Sequence, residues 1–255
     1  MAVQESWFPK QLYEGNKVTL DKPTPSQWVI GKPVNTHSYQ TDEMHHDSYA
    51  CAQFECHNVT DRKKGFMRIY VQVPHTGYDH AAKATLAQEA TEFTPPELTA
   101  YEFLTANRSQ NTPTLLAYKR GTQPTEGPVP GGHVTWIVWE KVPGKCLGDY
   151  ESAFVYWDMK PEQRKRVREG FLREIRNIMK MGCFPQRPGP SSLIWNASSG
   201  AMYFVGFRDS MPFKPKENWD NDYESWFPDF DLAKPPQINF DWKIDYKGNM
   251  DGWKL

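Results

Sequence analysis

Two arginines and one aspartate between residues 182 and 209 are the groups best suited to chemistry in this chain. Arg187 and Arg208 carry permanent cations, which can bind a carboxylate or polarise a carbonyl group, and Asp209 directly follows Arg208. The alternative is that these arginines form salt bridges inside the protein, to Asp209 or to Glu97. The sequence leaves both interpretations open.

A long helix, a loop and a β-hairpin must position these groups. Residues 161–181 carry an apolar stripe that includes Val167, Phe171 and Ile175, the opposite face is rich in Arg and Glu, and Gly182 stands where a helix C-cap belongs. The segments 193–195 and 201–207, joined by a turn at 196–200, are predicted to form the hairpin. Arg187 therefore lies in the loop that joins helix and hairpin.

This layout resembles the small-molecule branch of the kinase fold, the aminoglycoside and choline phosphotransferase-like proteins, in which a catalytic loop precedes a hairpin that carries a metal-binding Asp. The resemblance places the catalytic base at Arg187, the first metal ligand at Ser192 and the second at Gly206. Phosphoryl transfer needs anionic oxygen ligands for the metal and a group that accepts a proton. The resemblance therefore implies a degenerate, pseudokinase-like member that does not transfer phosphate.

The same resemblance assigns roles nearer the N-terminus. Arg68, in Met67-Arg68-Ile69, replaces the lysine of the phosphate-binding strand, and Glu97 matches the carboxylate partner on the family's helix, so an Arg68–Glu97 ion pair is expected. The stretch 140–144, Glu-Lys-Val-Pro-Gly, is similar to the hinge of fungal members. No glycine-rich loop precedes the first hairpin, so neither nucleotide nor any other cofactor is expected.

The predicted fold class is α+β, a kinase-like two-lobe fold with an antiparallel β N-lobe and a truncated, mainly helical C-lobe. Alternating apolar residues predict strands at 49–56, 67–73, 115–118 and 134–142, and a helix begins near Glu97. Residues 1–142 form the predicted N-lobe and 143–210 the reduced C-lobe. Residues 211–255 form an irregular tail, whose many aromatic side chains predict packing on the body of the protein.

Aromatic side chains are abundant, at 14% of the residues with ten tryptophans. One interpretation is that several of them, together with Asp209, line an apolar substrate-binding cleft between the lobes. The other is that they form ordinary core, since alternation along a strand gives the same pattern. The residues concerned are Trp136, Trp139, Trp195, Tyr203 and Phe207.

Composition excludes several classes of function. The net charge of −1 gives no general attraction to nucleic acid or to anionic membranes. No segment approaches the ~20 apolar residues that a membrane helix requires, and the start of the chain lacks a secretory signal, so a cytoplasmic protein with free thiols is expected. The cysteines lack zinc-site spacing, and His45-His46-Asp47 is interpreted as a solvated loop, so no metal is expected.

These observations lead to two hypotheses about function. The first is an enzyme of fungal secondary metabolism, a cofactor-independent cyclase or isomerase of the pericyclase (Diels–Alder) type, which holds an apolar or polycyclic substrate in a reactive conformation. Its candidate catalytic residues are Arg68, Glu97, Arg187 and Arg208. The alternative is a non-catalytic pseudokinase-like module that binds a protein partner.

Overall fold

The computed structural model describes residues 7–8, 14–42, 47–215, 223–236 and 250–255 of the chain. The chain divides into two compact units. The first comprises residues 1–98 with 114–141, and the second comprises residues 99–113 with 142–255.

The first unit is built on a six-stranded antiparallel sheet in the order β1-β2-β3-β4-β6-β5. Backbone hydrogen bonds between Lys22 and Tyr118 join the two edges, so the sheet is nearly closed and barrel-like. The strands are β1 (Lys17–Leu20), β2 (Ser26–Tyr39), β3 (Tyr49–Asn58), β4 (Lys64–Gln72), β5 (Leu115–Thr122) and β6 (His133–Glu140). Two helices follow β4 in the chain, α1 (Lys83–Leu86) and α2 (Pro96–Ala106), the second of which continues into the second unit.

The alternation of side chains along β4 explains the core of this unit. Met67, Ile69 and Val71 are buried on one face, where they pack with apolar residues of the other strands. Arg68 and Tyr70 point to the other face, because successive strand residues alternate. One face of the sheet is therefore hydrophobic core, and the other carries buried polar groups.

The second unit contains the helices α3 (Phe154–Trp157) and α4 (Pro161–Met181) and a small sheet in the order β7-β8-β9. Its strands are β7 (Lys145–Cys146), β8 (Leu193–Asn196) and β9 (Ala201–Phe204). Helix α4 ends at Gly182, whose φ of 87° is the left-handed conformation typical of a C-cap. Both the predicted helix and its C-cap are confirmed, as is the predicted hairpin formed by β8 and β9.

An aromatic cluster forms the core of the second unit. Phe171 of α4 lies 4.9 Å from Phe230 and 5.7 Å from Phe227 between ring centroids, and Phe204 of β9 lies 6.0 Å from Phe230. Residues 223–236 thus pack against α4 through buried aromatic rings, which contribute both apolar area and ring-to-ring contacts.

The predicted kinase-like α+β fold with a mainly helical C-lobe is wrong. Sheet is the main regular structure of the described residues, and only 23% of those residues are helical. Two causes are visible in the described residues. Residues 17–39, for which no strand was predicted, form β1 and β2 and extend the predicted hairpin into a six-stranded sheet. After α4, the described helical segments are short 3₁₀ turns at Pro190–Ser192 and Tyr223–Trp226.

No helix within the described ranges is long and apolar enough to cross a membrane.

Candidate functional site

The ion pair predicted between Arg68 and Glu97 is confirmed. Arg68 lies on β4 and Glu97 in the first turn of α2, with 2.5 Å between Arg68 Nη1 and Glu97 Oε1. The side chains are 10% and 1% exposed, so the pair is almost fully removed from water. A pair at this depth is maintained only when hydrogen bonds satisfy its remaining polar atoms.

Neighbouring side chains supply most of those hydrogen bonds. Tyr70 Oη donates to Glu97 Oε2 at 2.8 Å, and Arg68 Nη2 donates to Gln53 Oε1 at 2.5 Å. The guanidinium also lies over the ring of Trp139, 5.3 Å from its centroid. Arg68 Nε is buried and has no hydrogen-bond partner among the described residues. The network therefore fixes Arg68 from several sides and uses both oxygens of Glu97.

Burial and the neighbouring charges shift the pKa values of Arg68 and Tyr70. Burial alone would lower the pKa of Arg68, but the Glu97 carboxylate outweighs it, and the pKa of Arg68 is raised above its ordinary value. Burial, followed by the charge of Glu97, raises the pKa of Tyr70 well above its ordinary value. Tyr70 thus remains a neutral donor, and the arrangement is that of a structural anchor joining α2 to the sheet.

His133 at the start of β6 is a buried titratable residue that the sequence did not single out. Its ring lies 5.0 Å from that of Phe93, and neither ring nitrogen has a hydrogen-bond partner within the described part of the chain. Burial lowers the pKa of His133 to about 4, although the charge of Asp47 acts in the opposite direction. His133 is therefore neutral at physiological pH.

This shift predicts a dependence of stability on pH. The unfolded chain binds a proton at His133 below its ordinary pKa of 6.5, whereas the folded chain remains neutral down to about pH 4. The neutral form of His133 therefore makes its full contribution to the free energy of unfolding above pH 6.5. Up to about 3 kcal/mol of this contribution is lost as the pH falls towards 4. Urea denaturation of the wild type and of His133→Asn between pH 7 and pH 4 measures it, and the variant is expected to show the shallower decline. Parallel declines would contradict the assignment.

In the second unit, the structure brings together Arg187, Arg208 and Asp209. Arg187 Nε lies 2.8 Å from Asp209 Oδ2, and Arg208 Nη2 lies 3.4 Å from the same oxygen. The predicted alternative of a salt bridge to Asp209 is therefore present, while Glu97 pairs with Arg68. Two cations share one carboxylate, so the cluster carries a net charge of about +1.

Ser192 and Gly206, which the resemblance assigned to metal binding, lie beside this cluster. Ser192 Oγ donates to the backbone oxygen of Arg187 at 3.2 Å, and a Cβ added to Gly206 would lie 3.1 Å from Ser192 Oγ. The φ of Gly206 is +86°, a conformation that favours glycine. The loop after α4 and the end of the hairpin therefore converge at these residues.

The donor atoms of this cluster do not suit a phosphoryl-transfer metal. Magnesium prefers anionic oxygens in its coordination shell, and the one carboxylate present, Asp209, already accepts two guanidinium groups. Ser192 offers a neutral hydroxyl, and Gly206 has no side chain. Across the described residues, no three His, Cys, Asp or Glu side chains are grouped as a metal site.

The aromatic residues assigned to substrate binding lie in different places. On β6, Trp136 packs against the hydrophobic core and Trp139 against Arg68, on opposite faces of the strand. In the second unit, the Trp195 ring closely approaches Gly170 of α4, and the buried Phe207 lies 5.6 Å from Tyr101. Tyr203 is half-buried. These contacts favour packing roles for Trp139, Trp195 and Phe207.

The remaining candidate groups offer little chemistry. The four cysteines, all within the described residues, form no disulfide, and burial raises the pKa of Cys56 and of Cys183 to about 12, which keeps both thiols protonated. His45 and His46 lie outside the described residues. Asp47 Oδ1 accepts a hydrogen bond from Thr91 Oγ1 at 2.8 Å.

Comparison with known proteins assigns the chain to no family. No protein-family model matches it, and no curated protein matches it significantly. Function must therefore be argued from the residues of the chain itself.

Proposed function

We propose that this chain binds a small organic anion through Arg187 and Arg208 and does not transfer phosphate. The observation that carries the proposal is that two guanidinium groups share a single carboxylate oxygen, Asp209 Oδ2. Each guanidinium has five N–H donors, of which Asp209 uses few. The cluster therefore retains positive charge and hydrogen-bond donors for a ligand.

The exposure of the two arginines supports this role. The Arg187 side chain is 58% exposed, so its guanidinium is accessible, while that of Arg208 is 23% exposed. Arg208 Nε is buried and lacks a hydrogen-bond partner in the described portion of the chain. Asp209 holds both planar groups in place before a ligand arrives, which reduces the entropy lost on binding. Carboxylates match the guanidinium fork best, because both of their oxygens accept hydrogen bonds.

The chemistry of the cluster supports the absence of phosphotransfer. Phosphotransfer to a hydroxyl group needs a side chain that accepts the proton of that hydroxyl, and Arg187 is a permanent cation that cannot accept it. The cluster instead suits reactions in which negative charge develops on a bound carbonyl or carboxylate oxygen. A cofactor-independent isomerisation or cyclisation is the reaction class that needs no more than such a group and an oriented substrate.

Calorimetric titration of the full chain with 1-naphthylacetate tests this function. Saturable binding is expected, and Arg187→Gln and Arg208→Gln should each weaken it by about 5- to 20-fold, because each removes a charge-assisted contact. Arg166→Gln, at an exposed arginine on α4 of the same unit, is the matched control and should bind as the wild type does. The neutral analogue 2-(1-naphthyl)ethanol should bind far more weakly. Equal affinity for the acid and the alcohol, or unchanged binding by both variants, would refute anion binding at this cluster.

A protein-binding module is the second candidate, and exposed aromatic residues favour it. Tyr150 is 77% exposed and Phe154 is 51% exposed, and large apolar side chains exposed near each other often mark interaction surfaces. Replacing Arg187 or Arg208 discriminates between the candidates. It should weaken the binding of a small carboxylate, but it should not affect a protein partner that binds at Tyr150 and Phe154.

A further inference from the structure

Three cationic side chains surround one tryptophan of the second unit, Trp157 at the end of α3. Lys234 Nζ lies 4.8 Å from the centroid of the Trp157 ring, and Lys254 Nζ lies 5.1 Å from it. Arg164 Cζ lies 5.4 Å from the same ring. Because the three charges share this ring, any two of them lie within about 10.5 Å of each other, a distance at which salt screens charges only in part.

Backbone hydrogen bonds hold the two lysines directly opposite each other. Lys234 N donates to Lys254 O at 2.9 Å, and Lys254 N donates to Lys234 O at 2.8 Å, which makes an antiparallel bridge. Side chains at opposed positions of such a bridge leave the same face with their Cβ atoms about 5 Å apart, and like charges there are destabilising. Both ammonium groups can therefore reach one small anion, which would relieve their repulsion.

Arg164 adds a third cation that keeps unused donors. It is the fourth residue of α4, near a helix end that itself carries partial positive charge. Its Nε donates to the backbone oxygen of Leu255 at 3.1 Å, and its Nη1 donates to that of Met159 at 2.8 Å. These bonds fix the guanidinium, which is largely buried. Its Nη2 makes no hydrogen bond within the described part of the chain and remains available to a ligand.

Carboxylates in this region do not balance the three cations. Asp231 Oδ1 lies 3.5 Å from Lys234 Nζ, and this is the one salt bridge that the three cations make among the described residues. Asp158 and Glu162 are exposed and form no salt bridge within the same residues. Even with a terminal carboxylate at Leu255, the cations exceed their carboxylate neighbours by about one charge.

We infer that Lys234, Lys254 and Arg164 form a site for the phosphate group of a small phosphorylated molecule. A phosphate monoester carries close to two negative charges and three acceptor oxygens, so it can accept hydrogen bonds from both lysines and from Arg164 Nη2. A carboxylate has one charge and two oxygens and therefore matches this cluster less well. The site shares no residue with the cluster of Arg187 and Arg208, so it does not depend on the proposed function.

Calorimetric titration of the full chain with phenyl phosphate at pH 7.5 tests this inference. Saturable binding with a Kd of about 1 mM or tighter is expected for a ligand of this size. Lys254→Gln and Lys234→Gln should each raise the Kd by about 3- to 10-fold, since each removes one charge, and Lys254→Glu should raise it further. Lys180→Gln, at an exposed lysine near the other end of α4, is the matched control and should have no effect.

Benzenesulfonate, which has the same aromatic body and one negative charge, should bind more weakly than phenyl phosphate. Equal affinity for the two would overturn the inference, because the cluster would then not select a doubly charged group. Absence of saturable binding, or binding that none of the lysine variants alters, would overturn it as well. Phosphate binding at this site should persist in Arg187→Gln and Arg208→Gln, so its failure and the failure of the proposed function are separately observable.

Discussion

Replacing Glu97 with glutamine is expected to lower the free energy of unfolding by about 3–5 kcal/mol, because the buried Arg68 guanidinium would lose its counter-charge. The pair lies 2.5 Å apart, and the Glu97 side chain is 1% exposed, so water cannot replace the carboxylate. Tyr70 also donates to the same carboxyl group, and its hydrogen bond would weaken. Urea denaturation followed by circular dichroism of the sheet measures the change.

An exposed pair in the same unit provides the matched control. Lys141 Nζ lies 2.8 Å from Glu55 Oε1, but both side chains are nearly half exposed. Glu55→Gln is therefore expected to cost less than about 1 kcal/mol. The double variant Arg68→Met/Glu97→Leu should lose less stability than Glu97→Gln, because it leaves no buried charge. Similar losses for Glu97→Gln and Glu55→Gln would show that the buried pair does not anchor α2.

Replacing Phe230 with alanine is expected to destabilise the second unit by about 3–5 kcal/mol, since it opens a cavity in the aromatic cluster. Phe230 is fully buried, and its ring centroid lies 4.9 Å from that of Phe171, 6.0 Å from that of Phe204 and 6.1 Å from that of Phe184. Thermal denaturation followed by near-ultraviolet circular dichroism reports on this cluster directly.

Phe154→Ala is the control for this prediction. Phe154 belongs to the same unit but is 51% exposed, so its removal should change the free energy of unfolding by less than about 1 kcal/mol. If Phe230→Ala proved as mild as Phe154→Ala, residues 223–236 would not form part of the core of this unit.

Local signals in the sequence identified helices α2 and α4 and several strands correctly. The bounds of α4 follow from its apolar stripe, from Pro161 at its first position and from the glycine that ends it. The hairpin of β3 and β4 follows from the alternation of apolar residues in the two segments, and its antiparallel pairing is confirmed. Such features depend on residues close together in the chain, so they can be recognised from the sequence without knowledge of the fold.

The overall architecture was not predicted, because it depends on contacts between distant segments. The part of β2 that follows Gly31 is largely exposed, so it shows no burial alternation, and its register shifts on both sides of Pro33. The hydrogen bonds between Lys22 and Tyr118, which nearly close the sheet, join residues far apart in the chain. A resemblance to the kinase fold also carried the expectation of a helical lobe, which the segment after α4 does not form in its described residues.

The candidate sites also differ in whether their residues lie close together in the chain or far apart. The cluster of Arg187 and Asp209 was foreseen as one of two alternatives, since its residues lie in one loop-and-hairpin stretch. In the first unit, Gln40, Asp79 and Glu126 line one groove, and their separation in the chain produces no recognisable spacing. Burial of His133 likewise follows from its position in the sheet and its contact with Phe93, and a lone histidine in a sequence carries no sign of it.

A thermal-shift titration with 1-naphthylacetate and with ATP, each with and without added Mg²⁺, tests anion binding without phosphotransfer most directly. A ligand at 100 times its Kd adds about 2.7 kcal/mol to stability, which is readily measured. The predicted result is that the carboxylate raises the Tm whether or not Mg²⁺ is present, and that ATP with Mg²⁺ stabilises the chain no more than ATP without Mg²⁺, because Asp209 already accepts two arginines. Stabilisation by ATP that depends on Mg²⁺, with no response to the carboxylate, would contradict the proposed function.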